Sequence, residues 1–363
     1  MTTTLPHAYF NPPRRLPFVL PTPPEGKKLI SLAINESPYG CSRKAWAAAE
    51  ARFGEPNRYP DPSSADLRRA IGWQFSLDPE RIVCGNGSEE LLDVVGRMFV
   101  RSGDEIIMSQ SGFFQFAVVA QRLGAEFSRA PEQNYITDVD ALLAMVNEKT
   151  KLIFLAVPNN PTGTLLPVDE VLRLHGKLPP QIVLVLDLAY GEYMEKSDLA
   201  RLMRYGGAQS NIVITRTFSK AYGLAALRAG WALAPDWMTP GLNLIRGVGN
   251  INAIAQAAAA AAVEDQVFVE RVVAETAAER AFLARHLSRL GLHFVPGFGN
   301  FLLTRFPDGE AKSAAKFIDF AMRESGIWLR PVGEPGFANW SRIGLGNRAE
   351  NELLVGLLEE FLK

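Results

Sequence analysis

The sequence predicts an α/β fold, with a large domain whose mostly parallel sheet is flanked by helices, and a smaller α+β domain. Short apolar runs alternate with amphipathic stretches between residues 59 and 263, a pattern typical of parallel strands joined by crossover helices. A chain of 363 residues also corresponds to roughly two domains of about 150 residues each. The last hundred residues combine long helices with short strands, which indicates the second, α+β unit.

Five apolar runs are predicted to be buried strands of the large sheet. They cover residues 81–84, 105–108, 152–157, 182–186 and 211–214. Amphipathic stretches such as 89–100 and 116–123 lie between them and are expected to be helices. Ligands of such sheets bind at the carboxyl ends of the strands, so the polar residues that follow these runs are the candidates for a functional site.

The predicted domain organisation has three parts. Seven prolines fall within residues 1–28, which excludes a regular helix there and predicts an extended arm. Residues 59–263 are expected to form the large domain, and residues 29–58 with 264–363 the small one. In the small domain the patterns predict helices at 264–290, 311–325 and 349–362, and strands at 300–306 and 342–345.

Composition excludes several function classes. The net charge of -1 provides no long-range positive field for nucleic acid or an anionic membrane. The two cysteines and four histidines show no metal-ligand spacing, so no metal site is expected. No secretion signal or membrane-spanning run is recognisable, and we expect a cytoplasmic protein.

A glycine-rich loop, Gly-Asn-Gly-Ser-Glu-Glu at residues 85–90, joins the first predicted strand to a helix. Backbone N–H groups at a helix N-terminus bind phosphate because the helix dipole places positive charge there. The loop lacks the third glycine of the dinucleotide-binding motif, and no P-loop pattern occurs in the sequence. It therefore indicates either a site for a small phosphate or a plain turn.

Two further predicted strands are followed by polar residues. Asn160 lies in the turn Val-Pro-Asn-Asn-Pro-Thr-Gly at residues 157–163, whose prolines and glycine fix the backbone. Asp187 follows a strongly apolar strand, and Tyr190 comes three residues later. Burying a carboxylate is costly unless a cation is nearby. Asp187 is therefore expected either in a structural salt bridge or in contact with a cofactor.

The most informative segment is residues 215–228, which places hydroxyl groups, a lysine and an arginine at one strand end and loop. Lysine forms Schiff bases, and it becomes nucleophilic when burial or nearby positive charge lowers its pKa. Lys220 is therefore a candidate nucleophile. Taken alone, the pair Ser219 and Lys220 would more often be a solvated surface pair.

Together these motifs resemble those of the fold-type I pyridoxal-phosphate-dependent aminotransferases of class I/II, and most closely the histidinol-phosphate aminotransferase family. The resemblance extends from the Asn-Glu-Ser-Pro-Tyr-Gly segment at 35–40 to the Arg-Ile-Gly-Leu-Gly segment at 342–346. Asn160, Asp187, Lys220 and Arg228 follow one another at intervals of 27, 33 and 8 residues. This order implies an aminotransferase with pyridoxal 5′-phosphate (PLP) as its cofactor.

The resemblance also assigns cofactor contacts. Lys220 would form a Schiff base with PLP and carry the proton during catalysis. Asp187 would keep the pyridine nitrogen protonated, which strengthens the ring as an electron sink. Tyr190 and Asn160 would hydrogen-bond the phenolic oxygen. The other implied contacts are the stacking residue Phe113, the phosphate-binding residues Gly87, Ser88, Glu89, Thr217, Ser219 and Arg228, and Tyr59 from the neighbouring subunit.

For the substrates, the resemblance implies that Arg342 binds the α-carboxylate with its planar fork and that Arg330 binds the phosphate of histidinol phosphate. Asn35 and Tyr39 are further candidates for substrate binding. The implied partners are a small-molecule amino donor, 2-oxoglutarate and a second copy of this chain in a homodimer.

Two positions depart from the family pattern. Leu188 replaces a glutamate that commonly follows the aspartate, at a position that does not touch the cofactor. Within the arm, Phe18 stands where the family often has a tyrosine that helps bind the substrate phosphate. The second departure bears on phosphate specificity and not on transamination.

Three alternatives stay open at this point. An aromatic amino-acid aminotransferase is favoured by the missing arm tyrosine and by the aromatic residues Phe113, Phe114 and Tyr39. An amino-acid-phosphate decarboxylase of the same fold shares these motifs. A ligand sensor without catalytic activity is disfavoured, because no helix-turn-helix pattern is found before residue 29 and every catalytic position is present.

Overall fold

The computed structural model describes residues 20–334 and 336–363. Most of the predicted arm, including Phe18, lies outside the described residues.

The strands in chain order are β1 (Ile30–Ser31), β2 (Ile82–Gly85), β3 (Glu105–Ser109), β4 (Glu126–Ala130), β5 (Glu132–Gln133), β6 (Ile136–Thr137), β7 (Thr150–Ala156), β8 (Val183–Asp187), β9 (Ile212–Thr217), β10 (Gly230–Leu233), β11 (His293–Val295), β12 (Phe301–Arg305), β13 (Ile327–Trp328), β14 (Arg330–Pro331) and β15 (Trp340–Gly344). The helices are α1 (Arg43–Ala51), α2 (Ala65–Phe75), α3 (Ser88–Phe99), α4 (Phe114–Leu123), α5 (Val139–Ala144), α6 (Val168–Lys177), α7 (Lys196–Ala208), α8 (Thr239–Ile245), α9 (Ala253–Glu264), α10 (Gln266–Arg289), α11 (Ala314–Ser325) and α12 (Arg348–Leu362). A short 3₁₀ turn at Gly191–Tyr193 follows β8.

The large sheet has the strand order β2-β10-β9-β8-β7-β3-β4. Strands β9, β8, β7, β3 and β4 run parallel to one another, and β10 runs antiparallel to both β2 and β9. The central strands are buried on both faces, which is why they read as continuous apolar runs. The predicted α/β fold class is confirmed.

Successive residues of β8 pack into different layers. Leu184 and Leu186 belong to the core cluster formed with α2, α6, α7 and α9, whereas Val183 and Val185 belong to the cluster formed with α3, α4 and α8. Alternate side chains of a strand point to opposite faces of a sheet. The sheet is thus covered by helices on both faces.

Two strands of this sheet were not predicted, and one helix begins later than expected. The edge strand β4 includes charged residues and is only partly buried, so it lacks an apolar run. Strand β10 has only four residues. The helix expected from residue 311 begins at Ala314, because the Ser313 side chain caps its N-terminus by accepting a hydrogen bond from the Lys316 N–H group.

A second sheet, with the order β11-β12-β15-β14, is antiparallel. It shares a core cluster with α10, α11 and α12. Strand β1 pairs with β13, Ile30 opposite Ile327, whereas α1 packs against α9. The assignment of residues 29–58 to the small domain stays a prediction. Among the described helices, none is long and apolar enough to cross a membrane.

Candidate active site

The carboxyl ends of β7, β8 and β9 lie side by side, because Ala156 pairs with Asp187 and Asp187 with Thr215. A cavity of about 870 Å³ opens at these strand ends. It is lined by the predicted site residues Asn35, Ser88, Glu89, Phe113, Asn160, Asp187, Tyr190, Thr217, Ser219, Lys220, Arg228, Arg330 and Arg342.

Lys220 lies in the loop after β9, and its amine faces the N-terminal segment of the chain. Its Nζ donates hydrogen bonds to the backbone carbonyl oxygens of Ile34 and Asn35, both at 3.2 Å. Burial, together with the positive charges of Arg342 and Arg228, lowers the pKa of Lys220 to about 7. Much of the amine is therefore neutral and nucleophilic at neutral pH.

Asp187 is the last residue of β8 and is only 3% exposed. Burial raises the pKa of its carboxyl to about 6, against the opposing effect of a hydrogen bond from Thr215. The Thr215 hydroxyl donates this bond to Oδ1 at 3.0 Å. When burial destabilises the charged form of a carboxylate, a ligand that brings a cation next to it provides a large stabilisation.

Tyr190 is buried beside Asp187, and burial raises the pKa of its hydroxyl. The hydroxyl oxygen accepts a hydrogen bond of 2.8 Å from Asn35 Nδ2. Asn35 is itself buried and has a φ of 57°, in the left-handed region that asparagine tolerates better than most residues. The N-terminal segment is thereby fixed against both Tyr190 and Lys220.

The loop before α3 forms a cradle with Arg228. Gly87 has a φ of +84°, and a Cβ atom at this position would lie 2.5 Å from Nη2 of Arg228. A Cβ atom on Gly230 would lie 2.4 Å from the Ser88 nitrogen. Both glycines are therefore required by close approach. Arg228 Nη1 also donates to Ser219 Oγ at 3.1 Å, which joins the cation to the hydroxyl groups after β9.

Two arginines come from the second sheet. Arg342 on β15 is buried, and burial lowers its pKa. Its Nη1 donates to Asn160 Oδ1 and its Nη2 to the Ala33 carbonyl, both at 2.6 Å, while its Nε has no hydrogen-bond partner among the described residues. The guanidinium of Arg330 on β14 lies 5.2 Å from the centre of the Phe114 ring.

Three predicted site residues are not among those that line this cavity: Gly87, in the loop described above, and the tyrosines Tyr59 and Tyr39. Tyr59 is 100% exposed. Tyr39 is half-buried and packs near Glu279; burial and the charge of Glu279 raise the pKa of Tyr39 to about 12. Within one chain, the structure does not bring either tyrosine to the cavity.

Three charged residues line the cavity without having been indicated by a motif: Arg122, Arg129 and Glu334. Arg129 lies on β4, the edge strand that the sequence patterns did not reveal. Glu334 lies in the loop between β14 and β15. Recognition of β4 as a parallel strand would have placed Arg129 near this edge of the sheet.

The family profile for aminotransferase class I and II matches residues 27–358. The chain belongs to this family. The aminotransferase class predicted from the motifs is confirmed.

Individual relatives cover nearly the whole chain. A histidinol-phosphate aminotransferase of Rhodopseudomonas palustris strain TIE-1 is 42% identical over 94% of this chain and 93% of its own length. One of Nitrobacter hamburgensis is 40% identical with the same coverage. The crystal structure of a histidinol-phosphate aminotransferase from Sinorhizobium meliloti, in complex with PLP, is 30% identical with a TM-score of 0.87, covering 92% of this chain and 90% of its own.

Proposed function

We propose that this aminotransferase uses PLP to transfer the amino group of histidinol phosphate to 2-oxoglutarate. The observation that carries the proposal is that one cavity contains Lys220 and Asp187 together with the two arginines Arg342 and Arg330. An amino-group transfer needs the first pair, and anionic substrates need the second. Relatives that are 40–42% identical and named for this donor support the choice.

The residues of the cavity fit PLP. The cavity leaves room for a phosphate between Arg228, the hydroxyl groups of Thr217 and Ser219, and Ser88 at the N-terminus of α3. The buried Asp187 carboxyl lies where a protonated pyridine nitrogen would stabilise its charge. Phe113 offers an apolar ring face in the same cavity, and stacking requires only such a face.

When bound, PLP supplies a carbonyl group for exchange with amines and a ring that withdraws electrons from the substrate Cα. Lys220 Nζ provides the neutral amine for the first exchange, since its pKa is about 7. With PLP and an amino donor bound, the same Nζ would be the group that accepts and returns the Cα proton. Asp187 would hold its charge at the ring nitrogen, and the Tyr190 hydroxyl would hydrogen-bond the phenolic oxygen.

The arginines are proposed to distinguish the two substrates. Histidinol phosphate carries a phosphate and no carboxylate, whereas 2-oxoglutarate carries two carboxylates. Arg342 presents a planar fork that suits a bidentate contact with a carboxylate. Arg330 provides a second cation in the same cavity. Both arginines would then bind the amino donor first and 2-oxoglutarate afterwards.

We also propose a homodimer in the cytoplasm. Tyr59, Trp73 and Val248 are large side chains that are mostly exposed, and the Arg246 side chain joins two of these segments by donating to the Pro62 carbonyl. The exposed Tyr59 and Val248 therefore lie on neighbouring segments, and exposed apolar surface of this kind supports a contact with another protein surface. A second copy placed there would cover Tyr59 and could bring it to the partner's cavity.

Initial rates with histidinol phosphate, phenylalanine and tyrosine, each against 2-oxoglutarate, test the proposal. We expect the highest kcat/KM for histidinol phosphate. The Phe114 ring beside Arg330 favours an aromatic amino acid as the second candidate, and higher kcat/KM values for phenylalanine or tyrosine would replace the proposed donor. Release of CO₂ without amino transfer would instead identify a decarboxylase.

A further inference from the structure

A buried ion pair lies outside the cavity lining, between Arg216 and Glu192. Their side chains are 2% and 6% exposed, and neither residue is among those that line the cavity. Arg216 lies between Thr215 and Thr217 on β9. Because alternate side chains of a strand point to opposite faces, Arg216 faces away from the side on which Thr217 lines the cavity.

The pair joins the two chain segments that carry the reacting groups. Glu192 lies in the 3₁₀ turn that begins directly after Tyr190. Arg216 lies four residues before Lys220. The backbone bonds between these segments include one from the Leu188 N–H group to the Thr215 carbonyl at 2.9 Å. The ion pair adds a side-chain connection at the 3₁₀ turn that directly follows Tyr190.

Joining these segments through a buried ion pair costs desolvation free energy. Nε and Nη1 of Arg216 and Oε2 of Glu192 have no hydrogen-bond partner among the described residues. The rings of Phe75 and Trp231 lie 4.8 and 5.6 Å from the guanidinium carbon. Well-packed apolar residues of similar size often serve stability as well as, or better than, a buried ion pair. The charges therefore suggest a role in fixing geometry.

We propose that Arg216 and Glu192 are positioning residues, which fix the turn after Tyr190 and so aim the Tyr190 hydroxyl at the cofactor held by Lys220. This inference rests on the proposed use of PLP. A hydroxyl that donates to the phenolic oxygen of PLP withdraws negative charge from it. The protonated nitrogen that links PLP to Lys220 is then less stabilised and releases its proton at lower pH.

The test compares Arg216→Met, Glu192→Met and the double variant Arg216→Met/Glu192→Met. Each single variant leaves a buried charge without its partner and should lose thermal stability, which the double variant should regain. We expect the double variant to bind PLP. Its kcat should be about 10- to 100-fold lower, because displaced catalytic groups lower the rate by this much, and its KM should change little. The pH at which the visible absorption of the bound cofactor changes should rise. Wild-type kcat and an unshifted transition would overturn the proposal.

A mutant cycle with Tyr190→Phe asks whether the pair acts through this hydroxyl. If it does, removal of the pair in the Tyr190→Phe background should cause no further shift of the absorption transition, whereas additive shifts would contradict the proposal. Should the double variant fail to fold, Glu192→Gln takes its place in the same cycle, because it removes the charge and keeps the shape of the side chain.

His175→Leu is the matched control for lost stability. His175 is buried and bonded to Tyr205 and Asn211, outside the cavity lining. This variant should be less stable and leave the absorption transition unchanged; a shift equal to that of the ion-pair variants would make their effect non-specific. The transition is measured without any amino donor, so a wrong donor in the proposed function leaves this test intact.

Discussion

Arg342 Nη1 donates a hydrogen bond of 2.6 Å to Asn160 Oδ1, across 182 residues of sequence. Arg342 belongs to β15 of the small antiparallel sheet, and Asn160 to the turn after β7 of the large sheet. The residue proposed for the substrate carboxylate and one proposed for the cofactor therefore share a hydrogen bond. A substrate carboxylate would compete with Asn160 for the same guanidinium, so substrate binding and cofactor contacts are coupled.

Replacement of the candidate nucleophile tests the reaction directly. Lys220→Ala should abolish turnover and the visible absorption that arises from the bond between lysine and PLP. Some PLP should stay bound, because the cradle at Gly87 and Arg228 is unchanged. Absorption spectroscopy after dialysis measures both effects. Transamination by this variant at the wild-type rate would contradict the assignment.

The lowered pKa of Lys220 predicts how PLP enters the apoenzyme. Only the neutral amine reacts with the carbonyl group, so the rate of covalent incorporation should rise through pH 7 and level off above about pH 8, since the pKa is about 7. An ordinary lysine would give a rate that rises up to about pH 10. Stopped-flow absorbance of apoenzyme mixed with PLP distinguishes the two profiles.

The same shift predicts a pH dependence of stability. Between about pH 7 and pH 10.4, the unfolded lysine binds a proton that the folded one does not. The contribution of Lys220 to the free energy of unfolding of the apoenzyme therefore increases as pH rises through this window. Denaturant titrations of wild type and Lys220→Met should show a steeper rise for wild type; parallel curves would contradict it.

Most of this site was predictable from the sequence, because its functional residues lie at or just after the ends of predicted strands. Asp187 directly follows an apolar run, and Lys220 lies in the loop after another; such runs are recognisable in the sequence when a strand is buried on both faces. The loop at Gly87 was readable for another reason, since glycines mark a close approach of backbone to side chain. Local patterns were therefore sufficient for these residues.

Contacts between distant segments were not predictable in the same way. The bonds from Lys220 to the carbonyls of Ile34 and Asn35 depend on backbone atoms that carry no residue signature. The pairing of Arg216 with Glu192 depends on which face of β9 the Arg216 side chain takes and on where the turn after β8 places Glu192. Strand β4, which carries Arg129, lies at an edge and lacks the apolar pattern of a buried strand.

The Asp187 carboxyl is expected to act on the reaction and not on the fold. Asp187→Asn should lower kcat about 100-fold or more, because a preorganised charge at the ring nitrogen is lost, while the melting temperature changes little. Thr215→Val is the matched control. It removes the 3.0 Å hydrogen bond to Asp187 and keeps the charge, so its loss should be below about tenfold. Equal kinetics for Asp187→Asn and wild type would favour a structural role.

The proposed dimer predicts a specific effect of Tyr59. In one chain this side chain is fully exposed, so Tyr59→Phe should leave the melting temperature of an isolated chain unchanged. In a dimer that brings Tyr59 to the partner's cavity, the same variant should weaken PLP binding. Sedimentation velocity gives the assembly state, and a fully active monomer would contradict both parts of this prediction.

Arg330 decides between the proposed amino donors. If Arg330 binds the phosphate, Arg330→Ala should remove a charge-assisted contact worth roughly 1.5–3 kcal/mol, or about 10- to 150-fold in kcat/KM, for histidinol phosphate. Activity with phenylalanine should barely change. If Arg330 instead forms only an exposed ion pair, worth about 0–1 kcal/mol, both donors should lose little and in parallel.

Arg342→Ala is the comparison that separates the two arginines. Arg342 is buried and already bonded to Asn160 and the Ala33 carbonyl, so its loss should lower kcat/KM for every substrate that carries an α-carboxylate. Histidinol phosphate lacks this group, so its kcat/KM should fall less, and only to the extent that Arg342 contacts its phosphate. The ratio of kcat/KM for phenylalanine to that for histidinol phosphate should therefore rise in Arg330→Ala and fall in Arg342→Ala. Equal losses for both donors in both variants would show that the two arginines do not have separate roles.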